Sequence, residues 1–192
     1  KSGKPGGKNR HNELFINNGP SPSAPGGGEG RGEVGFTEKA REYGLDTEGF
    51  NTQAVFFDYD HDGDPDMFLV NHSVHSPETY VKADARLIKN DVSGDKLFRN
   101  DGGHFKEVTE EANIYSGIVG YGLNVAVADL NNDGWDDIYV SNDFHENDYY
   151  YVNQQDGTFR EMNAEAFEHE SRFSMGSDIA DVNNDGWLDI IS

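Results

Sequence analysis

The chain contains no cysteine. That single absence removes disulfide frameworks, zinc–thiolate sites and cysteine nucleophiles, while leaving the redox compartment open. It also lacks any apolar run of the roughly eighteen residues that a membrane-spanning helix needs. Basic residues are scarce: 15 Lys and Arg stand against 36 Asp and Glu, for a net charge of −21. Such a chain repels nucleic-acid phosphates, so neither DNA nor RNA is an expected partner. Only 34% of the residues are hydrophobic, and low hydrophobicity with high charge is the composition of disorder. The aromatic residues argue otherwise. They make up 12% of the chain, as 12 Phe, 9 Tyr and 2 Trp, and they recur in ordered patterns. At 192 residues the chain is long enough for one domain or two.

The chain opens on Lys1 with no apolar core of a signal peptide behind it, and it reads as a processed or trimmed piece. Residues 1–12 form a basic, glycine-containing lead (Lys1, Lys4, Lys8, Arg10), expected to be flexible. A Gly/Pro stretch over 18–35 contains Gly30-x-Gly32-x-x-Gly35. It follows a Pro/Gly loop rather than a strand and opens no helix, so it is a long hairpin insertion and not a dinucleotide fingerprint.

What is present in abundance is acid in tight clusters, and the clusters repeat. Three segments align, each an apolar run, an acidic Gly-containing loop and a second apolar run. The loops begin at Asp58, Asp129 and Asp181, 71 and 52 residues apart. Between them lies a second repeating signature, Leu97-Phe-Arg-Asn-Asp-Gly and Tyr150-Tyr-Val-Asn-Gln-Gln-Asp-Gly, with a looser copy at Leu14-Phe-Ile-Asn-Asn-Gly. Each copy is a strand, an Asn/Asp-Gly turn and a strand, which is a hairpin signal.

One unit therefore has four strands, in the middle copy near 123–128, 137–141, 149–153 and 158–162. Four short antiparallel strands repeated at this spacing predict an all-β fold of propeller blades. The expected organisation is a partial propeller over 13–192, about three blades' worth. It has a half blade at 13–49, a blade at 50–108 with an insertion at 76–96, a blade at 120–162 and a half blade at 173–192. A propeller needs at least four blades to close, so the chain is expected to belong to a longer propeller.

Each acidic loop reads Asp-x-[Asp/Asn]-x-Asp-Gly-x-x-Asp. Side-chain oxygens fall at positions 1, 3, 5 and 9: Asp58, Asp60, Asp62 and Asp66; Asp129, Asn131, Asp133 and Asp137; Asp181, Asn183, Asp185 and Asp189. The glycine at position 6 permits a sharp reversal. The main-chain carbonyl of position 7 (Asp64, Trp135 or Trp187) can then face an ion. Carboxylates this close repel one another unless a cation or a proton intervenes. Calcium takes six to eight oxygens at about 2.3–2.6 Å in irregular geometry, whereas magnesium demands a tight octahedron. Zinc would want His or Cys, and neither occupies a ligand position. The EF-hand shares the first half of the pattern, but its Glu at position 12 is replaced here by Leu69, Val140 or Ser192. Three structural calcium ions are expected. They would add six positive charges and leave the chain at −15, still acidic and suited to a calcium-rich extracellular medium.

At these residues the sequence resembles the FG-GAP/VCBS repeat β-propellers, which include the integrin α-subunit head. It is similar in particular to the bacterial VCBS proteins of the ASPIC/UnbV type, related to cartilage acidic protein. The likeness is carried by Leu97-Phe-Arg-Asn-Asp-Gly, Phe105-Lys-Glu-Val-Thr-Glu-Glu-Ala112, Gly120-Tyr-Gly122, the stretch 129–142 and Arg172-Phe-Ser-Met-Gly176 through Ser192. The resemblance implies a seven-bladed propeller with calcium beneath the blades. It also implies a secreted or surface location, often as a bacterial outer-membrane lipoprotein.

No catalytic residue is assigned. His145-Glu146 and His169-Glu170 lack the second His of a zinc-protease helix, and neither Gly-x-Ser-x-Gly nor a Walker motif occurs. The polar segments 71–75 and 142–148, with Phe144, Tyr149 and Tyr150 nearby, read as surface loops or as a ligand face at one propeller rim. Asn71-His-Ser73 is a formal glycosylation sequon. The expected function is a non-catalytic extracellular calcium-binding module. Its partner at a rim would be a protein or a glycan, within a cell-surface assembly such as an outer-membrane protein complex. A polysaccharide lyase or hydrolase working in the propeller's central mouth is the alternative. It would need an acid/base set beyond the calcium ligands.

Overall fold

A computed structural model describes residues 11–20, 34–74, 85–144 and 146–192. The chain divides into two compact units, Lys1–Glu48 and Gly49–Ser192. The basic lead at 1–10, most of the Gly/Pro loop and the first part of the insertion lie outside the described residues.

The first unit is a hairpin of β1 (Phe15–Pro20) and β2 (Val34–Glu38), followed by a single helical turn, α1 (Ala40–Tyr43). Phe15 pairs with Glu38 and Asn17 with Phe36. The helix start is held by Glu38, whose Oε1 accepts from the Ala40 N–H at 2.7 Å. The turn ends at Gly44 in the left-handed region, φ 83°, where a side chain would be strained.

The second unit holds two complete antiparallel meanders. The first is β3 (Asn51–Phe57), β4 (Asp66–Asn71), β5 (Lys96–Asn100) and β6 (Phe105–Glu107). The second is β7 (Gly122–Ala128), β8 (Asp137–Asn142), β9 (Tyr149–Asn153) and β10 (Phe159–Glu161). A further pair, β11 (Asp178–Ala180) and β12 (Asp189–Ile191), repeats the first two strands. A one-turn helix, α2 (Asn163–Ala166), follows β10. The chain is all-β, and its four-stranded sheets are built like propeller blades.

The two sheets copy each other down to an irregularity. Between Asn51↔Asn71 and Gln53↔Val70 one residue of β3 is extra. The same bulge recurs between Gly122↔Asn142 and Asn124↔Ser141. Strands β4 and β8 are buried on both faces along their whole length, which is why they read as short apolar runs rather than as alternating ones. Phe68, Val70 and Leu97 of the first sheet meet Val125, Ile138, Val140, Tyr149 and Tyr151 of the second in one core. Burial of such side chains contributes about 1.5–3 kcal/mol each. Gly122 lets the sheets close, because a Cβ there would lie 2.3 Å from Val70 Cγ1.

Polar side chains stitch the inner strands. Gln53 Nε2 donates to the Val125 carbonyl at 3.1 Å, and its Oε1 accepts from Asn124 Nδ2 (2.8 Å) and the Val125 N–H (3.0 Å). Asn124 Oδ1 in turn accepts from the N–H and hydroxyl of Ser177. In both cases the side chain five residues before an acidic loop holds the N–H that lies four residues before the next loop.

Candidate metal centres

Each acidic loop joins the first two strands of a repeat, and strands flank all three, as an EF-hand would not allow. The bend comes from two left-handed residues. Position 4 (His61, Asn132, Asn184) has φ of 58°, 58° and 61°, and position 6 (Gly63, Gly134, Gly186) has φ of 93°, 90° and 89°. His and Asn tolerate that region better than most residues, and Gly enters it without cost.

The bend points consecutive N–H groups inward, and the acids catch them. In the first loop the Asp62 N–H donates to Asp58 Oδ1 (3.1 Å) and Asp60 Oδ1 (3.3 Å), and the Gly63 N–H donates to Asp58 Oδ2 (3.0 Å). The second loop repeats this with Asp133 on Asp129 and Asn131, and Gly134 on Asp129. The third does so with Asp185 on Asp181 and Asn183, and Gly186 on Asp181. In each loop the position-7 N–H (Asp64, Trp135, Trp187) donates to position 5 at 2.9 Å. Three copies of one bonding pattern place Asp58, Asp129 and Asp181 at the centre of their loops.

Position 9 reaches beyond its loop. Asp66 is fully buried; its Oδ2 accepts from the Tyr59 N–H (3.1 Å) and its Oδ1 from the Asn100 N–H (2.8 Å). Asp137, equally buried, accepts from the Asn153 N–H (2.9 Å) and the Tyr150 hydroxyl (3.0 Å). These carboxylates tie the acidic loop to the end of the third strand of the blade. Asp189 Oδ2 accepts from the Val182 N–H at 3.0 Å.

Electrostatics marks the same positions. Burial pushes Asp66 and Asp137 up to about 6, against the pull of their N–H donors. Asp60 is raised as well, by burial and then by neighbouring Asp62. Oxygens of Asp58, Asp60 and Asp66 lie within 4.8 Å of one another. A convergent, partly buried, all-oxygen donor set whose anionic form is disfavoured fits a hard divalent cation. The other two loops replace one carboxylate by Asn131 or Asn183. Each amide donates to the position-5 Asp, at 3.1 and 3.0 Å, so these loops carry less charge.

The bends also touch one another. The His61 ring stacks on Trp135 at 3.8 Å with 12° between planes, and Asn132 Nδ2 donates to the Gly186 carbonyl at 3.2 Å. Trp187 is exposed. Asp64 uses its side chain outside the loop, where Oδ2 accepts from the Gly102 N–H at 3.1 Å.

Two residues absent from the sequence-based set belong beside these sites, Asn100 and Asn153. Both bind the position-9 acid through their N–H groups. The signal for them was the Asn repeated at one place in the Leu97-Phe-Arg-Asn and Tyr150-Tyr-Val-Asn signatures. The asparagine that opens each polar segment after a second strand is structural. Asn71 and Asn142 are fully buried. Asn71 Nδ2 donates to the Gly94 carbonyl (2.7 Å), and Asn142 Nδ2 to the Asn147 carbonyl (2.9 Å). The sequon at Asn71 is therefore closed to glycosylation in the folded chain. His75 and His145 lie outside the described residues.

A family model described as FG-GAP-like repeat matches residues 83–140 and again 129–192, the two matches overlapping on the second acidic loop. No curated protein matches the chain.

Proposed function

Starting from the chain's membership of the FG-GAP-like repeat family, we propose that it is a non-catalytic, calcium-stabilised extracellular propeller module that offers one rim to a protein or glycan partner in a cell-surface assembly. The observation that carries the calcium reading is the threefold recurrence of one loop geometry, with Asp58, Asp60 and Asp66 converging in the first copy. Ligands would come from positions 1, 3, 5 and 9 and the carbonyl of position 7. A bound dication supplies the positive charge that lets Asp66 and Asp137 stay ionised while buried. The chain's own residues do the rest. The position-1 acid fixes the bend, and the position-9 acid pins that bend to the third strand. Loops of this exposure suit the weak, 0.1–1 mM class of sites found in extracellular modules, at an order-of-magnitude level.

The partner reading rests on the opposite rim. There Phe144, Asn147, Glu168, His169, Glu170 and Arg172 line an open cleft of about 370 Å³. Phe144 is held at φ 63°, a conformation costly for a bulky residue and often kept where a surface has work to do. No helix among the described residues is long and apolar enough to cross a membrane.

Thermal unfolding in excess calcium and in excess EDTA tests the reading. The expected outcome is a midpoint higher in calcium by about 4–8 °C, the shift that roughly 2 kcal/mol of binding produces in a domain this size. Superimposable melts would refute a structural calcium role.

A further inference from the structure

The first two acidic loops are joined by a buried relay that no single-loop description contains. Tyr59 occupies position 2 of the first loop, between Asp58 and Asp60. It is 3% exposed, and its ring lies against Phe57 and Phe159. Its N–H is held by Asp66 of its own loop at 3.1 Å. Its carbonyl accepts from Asn153 Nδ2 at 2.9 Å, and Asn153 belongs to the neighbouring blade. The N–H of that same Asn153 is held at 2.9 Å by Asp137, position 9 of the second loop. The path from Asp66 through Tyr59 and Asn153 to Asp137 is thus three hydrogen bonds long and buried throughout. On the surface above it, position 4 of the first loop stacks on position 7 of the second through His61 and Trp135.

Asn153 Nδ2 also reaches the carbonyl of Asp136 in its own loop at 3.4 Å, as Asn100 Nδ2 reaches that of Pro65 at 3.0 Å; the bond to Tyr59 is what Asn153 adds across the blades.

We propose that the first two acidic loops bind divalent cations cooperatively, with Asn153 and the His61–Trp135 stack as the coupling elements; this rests on the calcium reading above. Holding the Asp137 carboxylate fixes the Asn153 main chain. A fixed Asn153 orients the Tyr59 carbonyl, and with it the peptide units on which Asp58 and Asp60 are mounted. The second loop's ordering is then already done for the first, and by linkage the effect runs equally in reverse.

Terbium, a luminescent stand-in for calcium, provides the readout. In the full chain carrying Trp187→Phe, Trp135 is the one tryptophan left; because it sits in the second loop and also touches His61 of the first, the parent's titration is fitted with two sites, and the titration after the first loop is disabled reports the second loop alone. Asp58→Asn disables the first loop. Coupling predicts that this substitution weakens terbium binding at the second loop by about fivefold or more, the lower end of ordinary allosteric coupling. In a background of His61→Asn with Asn153→Ala the same substitution should change it less than about twofold. His61→Asn alone guards against a folding artefact, because Asn already occupies that left-handed position in the other two loops. It should remove part of the coupling with secondary structure intact by circular dichroism. An unchanged midpoint in Asp58→Asn would overturn the coupling and leave the cation reading standing. No sensitised luminescence in the parent chain would defeat both.

Discussion

The two complete blades place an aspartate at the same point, just before the third strand, and treat it differently. In the second blade Asp148 Oδ1 accepts from the Asn142 N–H at 2.7 Å. Its Oδ2 accepts from the Tyr139 hydroxyl (2.6 Å) and the Ser174 hydroxyl (2.8 Å). In the first blade Asp95 Oδ1 accepts from the Asn71 N–H at 2.8 Å. Its Oδ2 is buried with no partner among the described residues, as are the hydroxyls of Ser93 and Ser116. The reason lies in the register. Asp66 and Asp137 correspond, so Phe68 stands where Tyr139 stands, and the ring that would reach the carboxylate has no hydroxyl. The backbone of a blade asks for a carboxylate here to receive the second strand's last N–H. Whether that carboxylate is comfortable depends on a side chain two residues past position 9 of the acidic loop, on the second strand of the blade. In the first blade it is not: burial drives Asp95 up to about 7, with only the Asn71 N–H opposing.

The largest expected effect comes from breaking the satisfied copy. Asp148→Ala strands the Asn142 N–H and two hydroxyls, and should cost about 3–4 kcal/mol in urea unfolding. Asp95→Ala strands one N–H and removes an uncomfortable carboxyl, so about 1 kcal/mol or less is expected. Equal losses at the two sites would contradict the difference drawn between them.

Next comes the pH dependence. Asp95 has a folded pKa of about 7 against the ordinary 3.8. The folded state therefore holds the proton over a window in which the unfolded chain has released it. That contribution to stability is full below about pH 4, declines as pH rises through the window, and is gone above about pH 7. Asp95→Asn should remove this decline and be more stable than the parent at pH 8, by about 1–3 kcal/mol. Parallel stability–pH curves for the two proteins would show that Asp95 does not titrate in this way.

A smaller effect should follow from making the copies alike. Phe68→Tyr supplies the hydroxyl that Asp95 lacks and should stabilise by about 0.5–1.5 kcal/mol, whereas Tyr139→Phe should lose a similar amount. Smallest of all, His61→Asn should shift stability by less than about 0.5 kcal/mol, since the residue is exposed.

The blades were legible because their signals are local. A strand expected at 149–153 is Tyr149–Asn153, and one expected at 137–141 is Asp137–Asn142. Asp-Gly bends with aromatic strands beside them need no knowledge of distant residues. The one-turn helices α1 and α2, of 4 residues each, are too short to show a 3.6-residue period and were not foreseen. The acids of the loops were legible for the same reason as the strands. What escaped was set by cross-strand placement. Asn71 and Asn142 look like surface polar groups until the ladder shows them buried. Asn153 looks like a turn residue until its side chain is seen on the neighbouring loop. Asp95 and Asp148 cannot be told apart without knowing that Phe68 and Tyr139 share a register.

The central claim is that the three bends are built to hold hard dications. Anomalous diffraction from crystals of the chain grown with calcium tests it most directly. The account predicts three peaks, each about 2.3–2.6 Å from the oxygens of positions 1, 3 and 5 and close to the position-9 carboxylate. Crystals grown in saturating calcium with no peak at Asp58, Asp129 or Asp181 would contradict it.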